Sequence, residues 1–367
     1  MTITREMRPQ ALSTYLPAFI DEGEPVFISG PPGIGKSDIV RQVATDMGRD
    51  IIDIRLLLMD SVDLRGMPHL SVDETGSETM KWAPPVFLPK DPESNAVIFL
   101  DELTAAPQSV MSAALQLVLD HRIGEYILPK NVRLIAAGNR SSDRTGARDL
   151  PSALANRFNH VTLKVNFDDF QTWGVQHFMH PEVLGYLSFA KSSLCQFDAK
   201  TSSGAYPTPR SWAKVSKMMR SGRLPESLIP DMVSGYVGEG VGLDFIAQRK
   251  AAGTLPDPND IFAGKLTNWK ANNIAAQFTL VCACNANLKN LQDNIGAHDG
   301  LTLDQWNACA NNYVSFMNTK GNLNEEVTMM AVYQGIKTLK ILYSARLPAY
   351  KDFYSVHHKT LKSLQNI

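Results

Sequence analysis

The sequence predicts an α/β fold: a parallel sheet with helices on both faces in the first half, then a mostly helical second half. Three observations carry that expectation. Short apolar, β-rich runs recur at Val26–Ser29, Asp50–Leu56, Ala96–Leu100, Val132–Ala137 and Val161–Val165, with helical patterns between several of them. The run GPPGIGKS, Gly30–Ser37, is a glycine-rich loop set between an apolar stretch and a helical pattern. After Val165 no run keeps the buried-strand signature, and helical spacing broken by turns takes over.

Taken in order, Val26-Phe27-Ile28 reads as a buried strand, and the loop that follows has the pattern that cradles phosphates. Gly30, Pro31, Pro32, Gly33, Ile34, Gly35, Lys36 and Ser37 form that loop, in which Gly33 and Gly35 let backbone N–H groups approach phosphate oxygens. Lys36 is placed to neutralise the terminal oxygens and Ser37 to ligate Mg²⁺, so a nucleoside triphosphate is the expected ligand. Ile39, Val40, Val43, Ala44 and Met47 recur at helical spacing up to Gly48, so the loop opens onto a helix N-terminus whose dipole favours anions. Between Leu64 and Pro85 the pattern breaks at Gly66, Pro68, Gly76 and Pro84-Pro85, and an inserted hairpin and an ordinary surface loop fit it equally well.

Ala96–Leu100 ends in Asp101-Glu102, two carboxylates at the carboxyl end of a buried strand, where open α/β sheets bind ligands. After a phosphate loop, Asp101 is expected on the Mg²⁺ side and Glu102 as the group that polarises an attacking water. Ser109–Leu119 reads as a crossover helix, with a return to strand after Gly124. Arg133–Gly138 is another buried strand, and it ends at Asn139, an amide suited to hold a water or a terminal phosphate, although Asn is also common in loops after strands.

In the second half, GTLPDPND at Gly253–Asp260 reads as a further boundary. The expected organisation is 1–165 as the α/β domain with a hairpin near 64–85, then a helical domain at 166–252 and a helical extension at 253–367. Lys and Arg number 36 against 37 Asp and Glu, and the net charge of −1 supplies no global field for nucleic acid or an anionic membrane. No stretch is apolar for long enough to span a bilayer, and MTITREMRPQ lacks the apolar core of a signal peptide, so a cytoplasmic location is expected. Cys195, Cys282, Cys284 and Cys309 lack metal-site spacing, and the apolar neighbours of Cys282 suit a reduced, buried role. The His357, His358, Lys359 and Lys362 group reads as a solvated, weakly basic surface.

These elements resemble the AAA+ ATPases, and within them the MoxR-like group, with relatives in the midasin, gas-vesicle GvpN and CbbQ/NirQ branches. GPPGIGKS is similar to the Walker A motif, IFLDELTAAP to Walker B with its tail, and AAGN to the sensor 1 strand. DLPSALANRF, Asp149–Phe158, resembles the family segment in which an Arg-Phe pair ends a short helix, which implies an arginine-finger role for Arg157. TPRSW, Thr208–Trp212, resembles the sensor 2 motif at the start of a lid helix and implies that role for Arg210. DLRGMPH to KWAPPVF resembles a helix 2 insert, a hairpin that in this clade faces the central pore of a ring.

The resemblance implies an αβα sandwich followed by a helical lid and a helical C-terminal extension, with ATP and Mg²⁺ as cofactors. An arginine finger is supplied by a neighbouring subunit, so Arg157 implies a homo-oligomer, by family a hexamer. Arg144 and Arg148 lie in the same loop and compete for the finger role. The implied activity is an ATP-hydrolysing, chaperone-like ring that remodels a protein partner, in this family often one with a von Willebrand factor A domain. A DNA-dependent motor or helicase-like ATPase is the alternative. It is disfavoured because the insert mixes Arg65, His69 and Lys81 with Asp73, Glu74 and Glu78. A ring whose nucleotide is purely structural would need neither Glu102 nor Arg157, and a simple P-loop kinase would not need both Arg157 and Arg210.

Overall fold

Six parallel strands make the sheet of the first half: β1 (Arg5–Met7), β2 (Val26–Ser29), β3 (Ile51–Arg55), β6 (Val97–Asp101), β9 (Arg133–Gly138) and β10 (Asn159–Leu163). Their spatial order is β1-β10-β2-β9-β6-β3. The computed structural model describes residues 5–72, 76–143, 146–198, 204–253, 255–270, 273–297, 300–344 and 346–365. It divides into two compact units, Met1–Asn166 with Phe197–Ser203, and Phe167–Gln196 with Gly204–Ile367.

The central strands are apolar along their whole length because helices cover both faces, which is why β2 and Val97–Leu100 of β6 are buried at every residue. Helices α1 (Pro9–Glu22), α2 (Lys36–Asp46), α3 (Ser61–Arg65), α4 (Gln108–Asp120) and α5 (Ser152–Ala155) belong to this unit. One core cluster gathers Phe27, Ile54, Ile98 and Leu100 from the sheet with Val110, Ala114 and Leu117 from α4.

Two differences from the sequence reading have clear causes. β10 begins two residues before the expected Val161, because Asn159 and His160 are polar yet pair in register with Val26 and Phe27. β1 was not expected at all: it has three residues, two of them exposed, and it completes the sheet edge beside β10.

The 64–85 segment is a hairpin, β4 (Met67–Val72) paired antiparallel with β5 (Glu78–Ala83). Its base needs glycine: Gly66 has φ +89°, and a Cβ there would lie 2.0 Å from the Ala83 carbonyl oxygen. Two short strands, β7 (Arg122–Ile123) and β8 (Tyr126–Ile127), follow α4 as a second small hairpin, matching the expected return to strand after Gly124.

The second unit is helical among the described residues: α6 (Phe167–Gln176), α7 (Pro181–Phe189), α8 (Pro209–Ser221), α9 (Ile229–Val237), α10 (Glu239–Ala252), α11 (Pro258–Phe262), α12 (Ile274–Asp293), α13 (Leu303–Asn318), α14 (Glu325–Lys337) and α15 (Pro348–Gln365). Tyr186, Trp212 and Phe245 pack with tilted and edge-on rings, and Trp212 Nε1 donates to the Ser193 carbonyl at 2.8 Å, satisfying the buried indole. A further cluster centres on Trp306, Tyr313, Phe262 and Leu288. Helix α12 lies against α7 and carries Cys282 and Cys284, both buried and free of disulfides. Burial pushes the Cys282 thiol up to about 11, so it is neutral at physiological pH and inert, as the sequence suggested. The GTLPDPND segment joins α10 to α11, where the Asp257 side chain caps α11 by accepting the Asn259 N–H. Among the described residues no helix is long and apolar enough to cross a membrane.

Candidate nucleotide-binding site

Strand order builds the site. β9 lies between β2 and β6, so the carboxyl ends of three adjacent strands deliver the glycine-rich loop, Asn139 and Asp101-Glu102 to the same end of the sheet. The loop conformation depends on glycine. Gly30 has φ +154°, and a Cβ there would stand 3.0 Å from the Leu163 carbonyl oxygen, while Gly35 begins α2 at φ +96°.

Lys36 is 8% exposed, and its ammonium donates to the carbonyl oxygens of Gly30 (2.7 Å) and Pro31 (3.0 Å) and to Asn139 Oδ1 (2.9 Å). A buried ammonium needs such partners. An anionic phosphate oxygen is a stronger acceptor, so the cradle is set to exchange these bonds for charge-assisted ones. With its oxygen committed to Lys36, the Asn139 amide nitrogen is the group able to donate to an anion.

Ser37 Oγ donates to Asp101 Oδ2 at 2.8 Å, and Asp101 Oδ1 accepts the Glu102 N–H at 2.9 Å. The Asp101 carboxylate is therefore fixed on both sides. A hydroxyl and a carboxylate already in contact make the hard-oxygen pair that a Mg²⁺ needs when phosphates supply further ligands. Glu102 itself adopts φ +57°, ψ +31°, a left-handed conformation costing of order 1–3 kcal/mol for a non-glycine residue. His121 shares that region but stands at the C-terminus of α4, where it is ordinary; Glu102 instead turns a strand sharply into the Leu103–Ala105 turn. The turn begins between the two acids, and Asp101 is held to the loop by Ser37.

The expected residues are thus brought together in part. Lys36, Ser37, Asp101 and Asn139 are joined by hydrogen bonds, with Glu102 bonded through its backbone. Arg157 is exposed, follows α5 with its N–H bonded to the Leu154 carbonyl, and takes no part in that network. Arg210 is exposed at the second position of α8 in the other unit, behind the Thr208 cap, whose hydroxyl accepts the Ser211 N–H at 3.0 Å. Arg148 is exposed, and Arg144 lies outside the described residues, as do Asp73 and Glu74 of the insert.

Two features beside the site had no role assigned from the sequence, although Thr104 falls in the tail of the IFLDELTAAP motif. Thr104, 4% exposed, donates through Oγ1 to the Asn139 carbonyl at 2.9 Å. Asp143, also 4% exposed, holds Arg140 Nε and Nη2 at 2.8–3.1 Å, which fixes the residue after Asn139. A single buried polar residue leaves no periodic signal; only the shortness of the Arg140-to-Asp143 spacing could have hinted at the pair.

The β4–β5 hairpin has a different surface. Leu70 pairs with Met80, Pro68 with Trp82 and Val72 with Glu78, so one face carries Leu70, Val72 and Met80 at 67%, 63% and 60% exposure. His69 and Lys81 pair on the opposite face.

The family model described as "ATPase family associated with various cellular activities (AAA)" matches residues 26–165. Midasin of Giardia intestinalis is 33% identical over 149 residues, and midasin of Dictyostelium discoideum 32% over 147 residues. Each match takes in 38% of this chain but only 3% and 2% of those much longer proteins. Among solved structures, the Thermotoga maritima RuvB Holliday junction branch migration motor is 16% identical with a TM-score of 0.34, over 69% of this chain and 73% of that one. A putative ATPase from Cytophaga hutchinsonii is 17% identical with a TM-score of 0.33, over 88% and 80%. Residues 26–165 of this chain match the AAA family model and adopt a parallel-sheet P-loop fold of the AAA kind.

Proposed function

We propose that this chain is a Mg²⁺-dependent ATPase of the MoxR-like kind, working as a cytoplasmic homo-oligomeric ring of six subunits that remodels a protein partner, such as one with a von Willebrand factor A domain. The observation that carries the ATPase reading is the joined set Lys36–Asn139 and Ser37–Asp101 at the mouth of three adjacent strands. Support for a protein rather than a nucleic-acid partner is the exposed Leu70, Val72 and Met80 face of the hairpin, which offers apolar contact and no phosphate-binding charge.

Under this reading, Lys36 gives up the Gly30 and Pro31 carbonyls for the terminal phosphate oxygens. Ser37 and Asp101 would hold Mg²⁺, which when bound neutralises charge on the phosphates. Glu102 accepts a proton from the water that attacks the γ-phosphorus as the bond to the bridging oxygen of ADP breaks. Asn139 holds that water or the γ-phosphate, and Arg157 of one subunit stabilises the charge developing in its neighbour's site. Arg210 carries the sensor 2 role that the resemblance of TPRSW implies.

The test is a pair of measurements on wild type and Arg157→Ala with Mg²⁺ and ATP, namely light scattering for assembly and phosphate release for turnover. The expected result is ring assembly in both, with turnover in wild type and a loss of about 10³-fold or more in the variant. A wild type that stays monomeric and releases no phosphate contradicts the proposal, and a variant with normal turnover moves the finger role to Arg148.

A further inference from the structure

Three segments that act in the proposed reaction meet at one buried side chain that has no assigned role. Thr104 lies two residues after Glu102, inside the turn that the left-handed Glu102 opens. Its Oγ1 donates to the backbone carbonyl of Asn139 at 2.9 Å, while its own carbonyl accepts the Arg148 N–H at 2.7 Å. The fit around it is tight. A Cβ at Gly138, the last residue of β9, would lie 2.4 Å from Thr104 Oγ1 and 2.9 Å from its Cγ2, so glycine at 138 lets the β9 backbone close onto this threonine.

We propose that Thr104 is a positioning residue that ties Glu102 to Asn139 and to the 146–158 segment bearing Arg148 and Arg157. The inference rests on the ATPase reading given above and goes beyond it by naming a relay inside one subunit. Its physical basis is the stiffness of a buried β-branched side chain, which has one rotamer that reaches the Asn139 carbonyl while its methyl fills the space left by Gly138. A shift of Asn139 therefore loads two bonds at once, the one from Thr104 to its carbonyl and the one from Lys36 to its Oδ1. A displacement of Asn139 on loss of the γ-phosphate therefore pulls on Thr104, and through the Thr104 carbonyl on Arg148, the residue that opens the path to α5 and Arg157. The same bond sets the orientation of the turn on which the Glu102 carboxylate is carried.

Thr104 touches neither nucleotide nor water in this scheme, so its removal must act on turnover and not on affinity. Thr104→Val keeps the shape and the methyl contact with Gly138 and removes only the hydroxyl; Thr104→Ser keeps the hydroxyl and removes the methyl. Steady-state ATP hydrolysis and equilibrium binding of a fluorescent ATP analogue are measured on wild type and both variants, with thermal denaturation alongside. The expected result is a fall in kcat of about tenfold or more in Thr104→Val with KM and analogue affinity within about twofold of wild type, and recovery to within about threefold in Thr104→Ser. A Thr104→Val enzyme with wild-type kcat overturns the proposal while leaving the ATPase reading intact. Equal losses of kcat in both variants, in step with a lowered melting temperature, also overturn it, because packing and not the hydroxyl would then be responsible. A wild type that binds the analogue but does not hydrolyse ATP overturns the ATPase reading and the relay with it.

Discussion

The phosphate cradle and the β4–β5 hairpin belong to the same unit, yet they distribute polarity in opposite ways. In the cradle the polar groups are inside: Lys36 is 8% exposed and bonded to three oxygens, and Ser37 is bonded to Asp101. In the hairpin the apolar groups are outside, with Leu70 and Met80 paired across the strands at 67% and 60% exposure. A buried polar cluster costs free energy unless every member is satisfied, so it persists where a small charged ligand is to be gripped. An exposed apolar face gains only when something covers it, which suits contact with a larger surface. Under the proposed function, the difference separates the place of chemistry from the surface offered for contact.

Lys36→Ala is the sharpest way to break the cradle side of that comparison. It removes the charge that replaces carbonyl contacts with phosphate contacts, and the expected outcome is a loss of nucleotide affinity of about a hundredfold or more, read by isothermal titration. Affinity within about threefold of wild type would mean that the buried ammonium is structural. The hairpin side predicts a smaller effect of a different kind. Leu70→Ser with Met80→Ser should leave basal ATP turnover within about twofold and stability within about 0.5 kcal/mol, since both side chains already face solvent. Stimulation of turnover by a protein partner should fall severalfold. A drop of several degrees in melting temperature would show that this face is packed in the native assembly and would collapse the distinction.

Legibility in the sequence followed burial on both sides of an element. β2, β6 and β9 were readable to within about a residue because covered strands are continuous apolar runs. β1 escaped because Arg5 and Glu6 are exposed at a sheet edge, and the start of β10 escaped because Asn159 and His160 hold their places by backbone pairing and not by apolarity. The hairpin stayed balanced between two readings because both of its faces are open to solvent, which blurs the alternation that marks a half-buried strand. In the site, the loop residues Lys36 and Ser37 follow a fixed spacing that phosphate chemistry dictates, whereas Asp101 and Asn139 were placed beside them only by ending buried strands. The left-handed turn at Glu102 and the fit of Thr104 against Gly138 were not legible, since each depends on backbone brought together across β6 and β9.

The central claim is that the cradle grips ATP and that Glu102 serves the water and not the grip. The measurement that tests it most directly compares ATP binding and phosphate release in wild type and Glu102→Gln under the same Mg²⁺ and nucleotide concentrations. The account predicts affinity within a few-fold of wild type and a loss of turnover of about 10²–10⁴-fold, the span of a general base. Turnover close to wild type, or affinity lost together with turnover, would contradict it.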